Sequence, residues 1–183
     1  MRWLKSDLAI ILLFLTVILA VIVPAMFSGI PGHGNPNSRA ENTAYNLKNA
    51  ISAFFTEYRE YPLRSPDLDI TADTRRELMD ILLGAENERG KSRNPRGIAF
   101  YTDKAAKPTE DGRFRKGIRL DSNGGGELWD TWGNHYRVRM DTNFDNQTEG
   151  PESPFALLPE SILVWSAGKD GKFETWKDNV KTW

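Results

Sequence analysis

The sequence predicts an α+β protein in which helices come first along the chain and strands follow. Apolar residues recur every three or four positions from Ala40 to Tyr61, which is typical of one face of an α-helix. His135–Met140 alternates in polarity and Ile162–Trp165 is a short apolar run, and both patterns are typical of β-strands. This segregation of helical and strand patterns predicts helices packed on a small antiparallel sheet.

The N-terminal segment contains twenty consecutive uncharged residues, Leu8–Phe27. At about 1.5 Å per residue, a helix of this length crosses the roughly 30 Å hydrocarbon core of a bilayer. The sequence therefore predicts three parts: a membrane-spanning helix at 1–28, a Gly/Pro-rich break at 29–36, and one globular domain at 37–183.

Charges around the apolar segment predict its orientation. Arg2 and Lys5 precede it, so the positive-inside rule places the N-terminus in the cytoplasm and the domain across the membrane. A cleavable signal peptide is the alternative, and Val23-Pro24-Ala25 faintly suggests its small-x-small cleavage site. The apolar segment exceeds the roughly 7–15 residues of such a peptide, which favours a retained helix.

Composition excludes several kinds of function. The chain of 183 residues has 24 basic and 25 acidic side chains, so no global field would attract nucleic acid. There is no cysteine, which excludes disulfides, thiolate catalysis and cysteine-ligated zinc. The two histidines are far apart in sequence, and no serine, lysine or histidine nucleophile motif is present. The sequence thus gives no support for an enzyme.

Two helices are predicted in the domain. The first is capped by Asn37 or Ser38, with Glu41 three residues after Ser38 as in a capping box, and Pro62 ends it. Its apolar face is expected to pack on the domain's own sheet, with an intermolecular coiled coil as the alternative. The second spans Asp69–Leu83, where Thr71 or Asp73 can cap it, and ends near Gly84. Residues 85–126 are expected to be mainly loop.

The first candidate metal site is the glycine-rich segment Ser166–Gly171, together with Glu174 and Asp178. Its glycines allow tight turns, so backbone carbonyls could join the carboxylates of Asp170 and Asp178 around a calcium ion, which takes six to eight oxygen ligands. An ordinary Asp-Gly turn is the alternative.

A second, weaker candidate has the oxygen spacing of an EF-hand loop: Asp141, Asn143, Asp145 and Glu152. Asn146 replaces the expected glycine, Pro151 adjoins the last ligand, and no flanking helix is predicted. A polar hairpin between two strands is therefore favoured over calcium.

Three passages together resemble the major pseudopilins of type II secretion systems. The segment 128–136, LWDTWGNHY, is similar to the family's D-P-W-G-N-P-Y pattern. The segment 165–171, WSAGKDG, continuing to 178–183, DNVKTW, is similar to its S-x-G-x-D-G and D-D-I-x-x-W ending. The helix ending FFTEYREYP at 54–62 is similar to its Y-P helix end.

The resemblance implies a pilin-like fold and a calcium-binding C-terminal loop. By matching position, Asp170 and Asp178 would be carboxylate ligands, with Ser166 beside them and backbone carbonyls completing the shell. Lys177 stands where the family often has the first of two acids. Glu174 could compensate, although that suggestion comes from its position here and not from the family.

The resemblance also gives the N-terminal segment an assembly role. Asp7 lies 17 positions before Pro24, and this spacing fits that of the glutamate and the proline in the family. The family's glutamate is thought to pair with the N-terminal amine of a neighbouring subunit. Trp3 would be the first mature residue. However, Arg2 replaces the glycine that ends the family's leader, so the prepilin leader is degenerate.

The implied function is structural. The protein would be a subunit of a type II secretion, or related type IV pilus-like, assembly that polymerises through its N-terminal helix to drive protein export. Its partners would be its own copies, other pseudopilins, and the inner-membrane platform and ATPase. The expected location is the bacterial inner membrane, with a single span and a periplasmic C-terminal domain. The alternatives are a non-polymerising, membrane-anchored pilin-like binding or minor-subunit domain, and an anchored enzyme.

Overall fold

The computed structural model describes residues 35–65, 68–85, 92–153 and 156–183. These residues form two helices, α1 (Pro36–Tyr58) and α2 (Arg76–Leu83). They also form ten short strands, in chain order β1 (Ile70–Asp73), β2 (Lys107–Pro108), β3 (Phe114–Arg115), β4 (Gly117–Leu120), β5 (Gly126–Trp129), β6 (Tyr136–Met140), β7 (Thr148–Glu149), β8 (Leu157–Leu158), β9 (Ile162–Ser166) and β10 (Val180–Lys181).

Four of the strands form one antiparallel sheet in the order β1-β6-β9-β10. Asp73 lies opposite Arg137, and Tyr136 lies opposite Ser166, so β6 pairs with both neighbours along its length. The remaining strands form three separate antiparallel pairs, β2–β3, β4–β5 and β7–β8. The two predicted strands at His135–Met140 and Ile162–Trp165 are confirmed as β6 and β9, within a residue at their ends.

Helix α1 begins two to three residues earlier than predicted, because its N-cap is Asn35 and not Asn37 or Ser38. The side chain of Asn35, its N-cap, accepts a hydrogen bond from the backbone N–H of Asn37 (3.1 Å), and Pro36 opens the first turn, where its missing N–H costs nothing. The helix ends at Tyr58 because Arg59 adopts the left-handed conformation, with φ 58°. Chain direction therefore changes before Pro62 is reached.

The apolar face of α1 packs on β9 and β10 of the sheet. The predicted face is confirmed from its first residue to Phe54, since its buried residues are Ala40, Ala44, Leu47, Ala50, Ile51 and Phe54. A buried hydrogen bond adds to this contact, because the Tyr136 hydroxyl donates to the Ala40 carbonyl at 3.1 Å. The helix thus covers its own sheet, as expected.

The second predicted helix is wrong in its first half. Ile70–Asp73 is strand β1, paired with β6, and only Arg76–Leu83 is helical. Pairing with a distant strand outweighs the local capping signals of Thr71 and Asp73. The predicted end is confirmed, since Gly84 has φ 74° and caps α2.

The predicted pilin-like fold class, with an N-terminal transmembrane helix and a single small sheet, is wrong for the described residues. Their strands are divided among four separate antiparallel sheets. Neither described helix could cross a bilayer: α2 has 8 residues, and α1 carries charged side chains along its 23 residues. The same finding contradicts the predicted single-pass inner-membrane location. The segment 8–27, on which both predictions rested, lies outside the described residues.

Candidate functional site

A buried carboxylate, Asp130, holds together the loop between β5 and β6. Asp130 is only 1% exposed to solvent. Its Oδ1 accepts hydrogen bonds from the backbone N–H groups of Trp132, Gly133 and Asn134 at 2.7–2.8 Å. Burial raises the pKa of this carboxyl, although hydrogen bonds from Ser166 and Asn134 act in the opposite direction. One side chain therefore fixes the path of the whole turn.

The same carboxylate binds the C-terminal loop that follows β9. The Ser166 hydroxyl donates to Asp130 Oδ2, and the Asn134 side-chain amide donates to Asp130 Oδ2 (3.2 Å) and to the Gly168 carbonyl (2.8 Å). Ser166 Oγ in turn accepts the Gly168 N–H at 3.1 Å. Segments 128–136 and 165–171 are thereby joined at one buried point, by hydrogen bonds between residues that are 34 and 36 positions apart in sequence.

The C-terminal loop closes on itself at Gly168. This glycine has φ 68°, and a Cβ added to it would overlap the backbone carbonyl of Asp178. Asp178 Oδ2 accepts the backbone N–H of Asp170 at 3.1 Å. Only a residue without a side chain permits this approach, so the glycine lets the two halves of the loop touch.

The structure brings together two of the four residues of the first predicted metal site. Asp170 and Asp178 are neighbours in the C-terminal loop. Ser166 is buried and its hydroxyl donates to Asp130, and in the described structure Glu174 does not complete a metal-holding group with the two aspartates. Within the part of the chain that the structure describes, no group of three or more histidine and acidic side chains is placed to hold a metal.

The residues present still fit an oxygen-ligated cation in part. Asp170 supplies an exposed carboxylate and Asp178 a half-buried one. The tight turn at Gly168 brings the backbone carbonyl of Asp178 against Gly168 in the same loop. Calcium takes six to eight oxygens, so these two side chains would need carbonyls and water to complete a shell.

The second predicted metal site is a self-contained turn. Asp141, which is 2% exposed, accepts backbone N–H groups from Asp145 and Asn146 at 3.2 and 2.9 Å. Asn143 contacts Asp145, whereas Glu152 forms an ion pair with Lys181 and is not part of the turn. The polar hairpin interpretation is thus supported by these hydrogen bonds.

The remaining predicted residues, Asp7 and Pro24, lie outside the described residues. Sequence reasoning missed Asp130, which lies within the recognised segment 128–136 but was not assigned a role. Its signal was an aspartate three residues before a glycine, a spacing common in turns that the aspartate side chain stabilises.

A comparison of the chain with protein-family models, curated proteins and solved structures finds no significant match.

Proposed function

We propose that the protein is a structural subunit of a type II secretion, or related type IV pilus-like, assembly. The observation that supports this proposal is the meeting of segments 128–136 and 165–171 at Asp130. Those segments carry two of the three similarities to pseudopilins, and they contact each other through the residues that the similarity involves. No catalytic step is part of the proposal.

Contacts distant in sequence suit a subunit that must transmit force without deforming. The Lys48 ammonium pairs with Glu160 at 2.7 Å, and the Tyr136 hydroxyl binds the Ala40 carbonyl, so α1 is joined to the sheet by polar as well as apolar contacts. In the proposed assembly, the partners would be further copies of the chain, other pseudopilins, and the secretion platform.

The experiment is mass spectrometry of the N-terminus of the protein isolated from its own cells, followed by cross-linking. A chain that begins at a methylated Trp3 and forms multimer ladders is expected. An intact Met1 together with a purely monomeric chain would overturn the proposal. Because the chain has no cysteine, single introduced cysteines give specific cross-links.

A non-polymerising binding domain or minor subunit of such an assembly is the second candidate. Arg2, in place of the glycine of a prepilin leader, is the observation that favours it. The same measurement separates the two, since this candidate predicts an unprocessed N-terminus and cross-links only to other proteins.

We also propose that Asp170 and Asp178 hold a calcium ion that stabilises the C-terminal loop. About 10 mM calcium is expected to raise the melting temperature by several degrees relative to chelator, since extracellular calcium modules bind at roughly 10⁻⁴–10⁻³ M. Asp178→Asn should abolish this increase.

The control for calcium is Glu174→Gln, which removes an equal charge from the same loop at a side chain that is not placed to share a metal with Asp170 and Asp178. It should retain the full calcium-dependent increase. Equal melting temperatures of the unchanged protein in calcium and in chelator, or equal losses in the two variants, would contradict the calcium proposal.

A further inference from the structure

A cavity of about 540 Å³ opens near the end of the four-stranded sheet where Asp73 lies opposite Arg137. Four arginines line it: Arg75, Arg113, Arg119 and Arg137. The acidic residues on its walls are Asp73 and Glu127. Its volume lies within the roughly 300–1,000 Å³ of small-molecule sites, and its walls carry more positive than negative side chains.

The guanidinium groups have more donors than the wall carboxylates can accept. An arginine has about five N–H donors and a carboxylate about four acceptor positions. Arg113 is already paired with Asp111, at 2.6 Å from its Nε. The other three guanidinium groups place about fifteen donors against roughly eight acceptor positions on the wall carboxylates. Asp73 pairs with two arginines, since its carboxylate lies 3.4 Å from Arg137 Nε and 3.6 Å from Arg75 Nε. The carboxylate of Glu127 lies 3.8 Å from the Arg119 guanidinium. Strong charged hydrogen bonds are about 2.7–2.9 Å long, so these three pairings are loose.

Aromatic rings hold two of the guanidinium groups in place. Arg137 lies over the ring of Phe173 at 3.7 Å from its centroid, and Arg119 lies over Phe114 at 4.8 Å. A cation above a ring face is attracted by the ring's quadrupole. This contact fixes the plane of a guanidinium while leaving the N–H groups at its edge available to an acceptor.

The wall also contains an orphaned donor. The indole Nε1 of Trp129 is buried and has no hydrogen-bond partner in the described structure. Its ring packs against His135, with centroids 3.9 Å apart. A buried N–H without an acceptor is costly, but this nitrogen is closed to solvent, so the donors that face the cavity are those of the arginines.

We propose that this cavity binds an oxyanion, a phosphate or carboxylate group of a small organic molecule. The guanidinium edges of Arg75, Arg119 and Arg137 supply paired donors that match either group. An adjoining cavity of about 560 Å³ shares Asp73, Arg75 and Arg137 with the first, which leaves room for a second anionic group on the same molecule. This site does not depend on the proposed structural function.

The test is calorimetric titration of the purified full chain with inorganic phosphate and, separately, with citrate. Saturable binding of either probe is expected, weakening as salt is added, and the stronger probe identifies phosphate or carboxylate as the preferred group. Arg119→Gln and Arg75→Gln should each weaken binding about tenfold, which is typical of losing a charged hydrogen bond. These side chains are 54% and 62% exposed, so the folded state should tolerate their loss.

Arg115→Gln is the matched control. Arg115 is an exposed arginine in β3, between cavity residues Phe114 and Arg119 in sequence, but it does not line the cavity. It should change affinity less than twofold. Absence of saturable binding to both probes would overturn the inference, as would an equal loss of affinity in Arg115→Gln, which would indicate a general charge effect.

Discussion

At the scale of single residues, two aspartates in different surroundings have opposite effects on the stability of the fold. Asp130 accepts five hydrogen bonds and organises a loop. Asp69 has a buried Oδ1 without a hydrogen-bond partner in the described structure. Burial raises the pKa of Asp69 to about 6, and repulsion by Asp141 and Asp145 adds to the shift. The first stabilises the fold, and the second opposes it when charged.

Replacing Asp69 with Asn should therefore stabilise the protein at neutral pH. The raised pKa means that the folded state retains the proton to higher pH than the unfolded chain, whose aspartates titrate near pH 4. Stability that Asp69 contributes in acid is lost as the pH rises from about 4 through about 6. Asp69→Asn should raise the melting temperature by about 2–4 °C at pH 7.5, after allowance for solvent screening, and by almost nothing at pH 4.

Thermal unfolding followed by circular dichroism across pH 4–8 measures this effect. Glu110→Gln, at an exposed position, is the control and should show no such pH dependence. If Asp69→Asn raised the melting temperature equally at every pH, the raised pKa of Asp69 would not be the cause of the stabilisation.

At the scale of elements, Thr74 joins two of the sheets. It is fully buried; its hydroxyl donates to the Leu128 carbonyl and accepts the Tyr136 N–H, both at 2.9 Å. Its backbone also binds Tyr136 and Leu128. The strand pair β4–β5 is thereby attached to the end of the four-stranded sheet, next to the loop that Asp130 organises.

Removing the Thr74 hydroxyl should loosen this junction. Thr74→Val keeps the shape but leaves the Tyr136 N–H without its side-chain partner, while the Leu128 carbonyl keeps the contact with His135 Nδ1 at 3.0 Å. This should cost about 1–3 kcal/mol. Thr74→Ser retains the hydroxyl and should lose clearly less. Denaturant unfolding measures both, and a Ser variant as unstable as the Val variant would show that the methyl group, not the hydrogen bonds, matters.

How far the sequence predicted these elements depended on whether their partners were local. The buried face of α1 follows from its own periodicity. The short strands β2, β3, β7 and β8 have two residues each and exist only through pairing, so no periodic pattern could predict them. Strand β1 was misread as helix for the same reason.

At the scale of the whole molecule, a net charge of -1 conceals a separation of charge along the sheet. Asp69 and Asp141 adjoin the end where Ile70 faces Met140, and the arginine-lined cavity adjoins the end where Asp73 faces Arg137. The near-zero net charge predicts a weak electric field around the whole molecule, but composition says nothing about a local excess of charged side chains. The cavity draws its arginines from separate segments, so no sequence motif predicts it. Asp170 and Asp178 lie in one glycine-rich loop, so the sequence could name them as candidate ligands, and their calcium binding stays a prediction.

The order of the sheet also has a consequence for synthesis. Helix α1 is made early, yet the strands it covers, β9 and β10, are made last, and the bond from Tyr136 to Ala40 spans 96 residues. During translation, the part of the apolar face of α1 that β9 and β10 cover therefore stays exposed until most of the domain has been made. A chain interrupted before Ile162 would lack β9 and β10, the strands that cover that face, and its exposed apolar surface would be bound by chaperones or attacked by proteases.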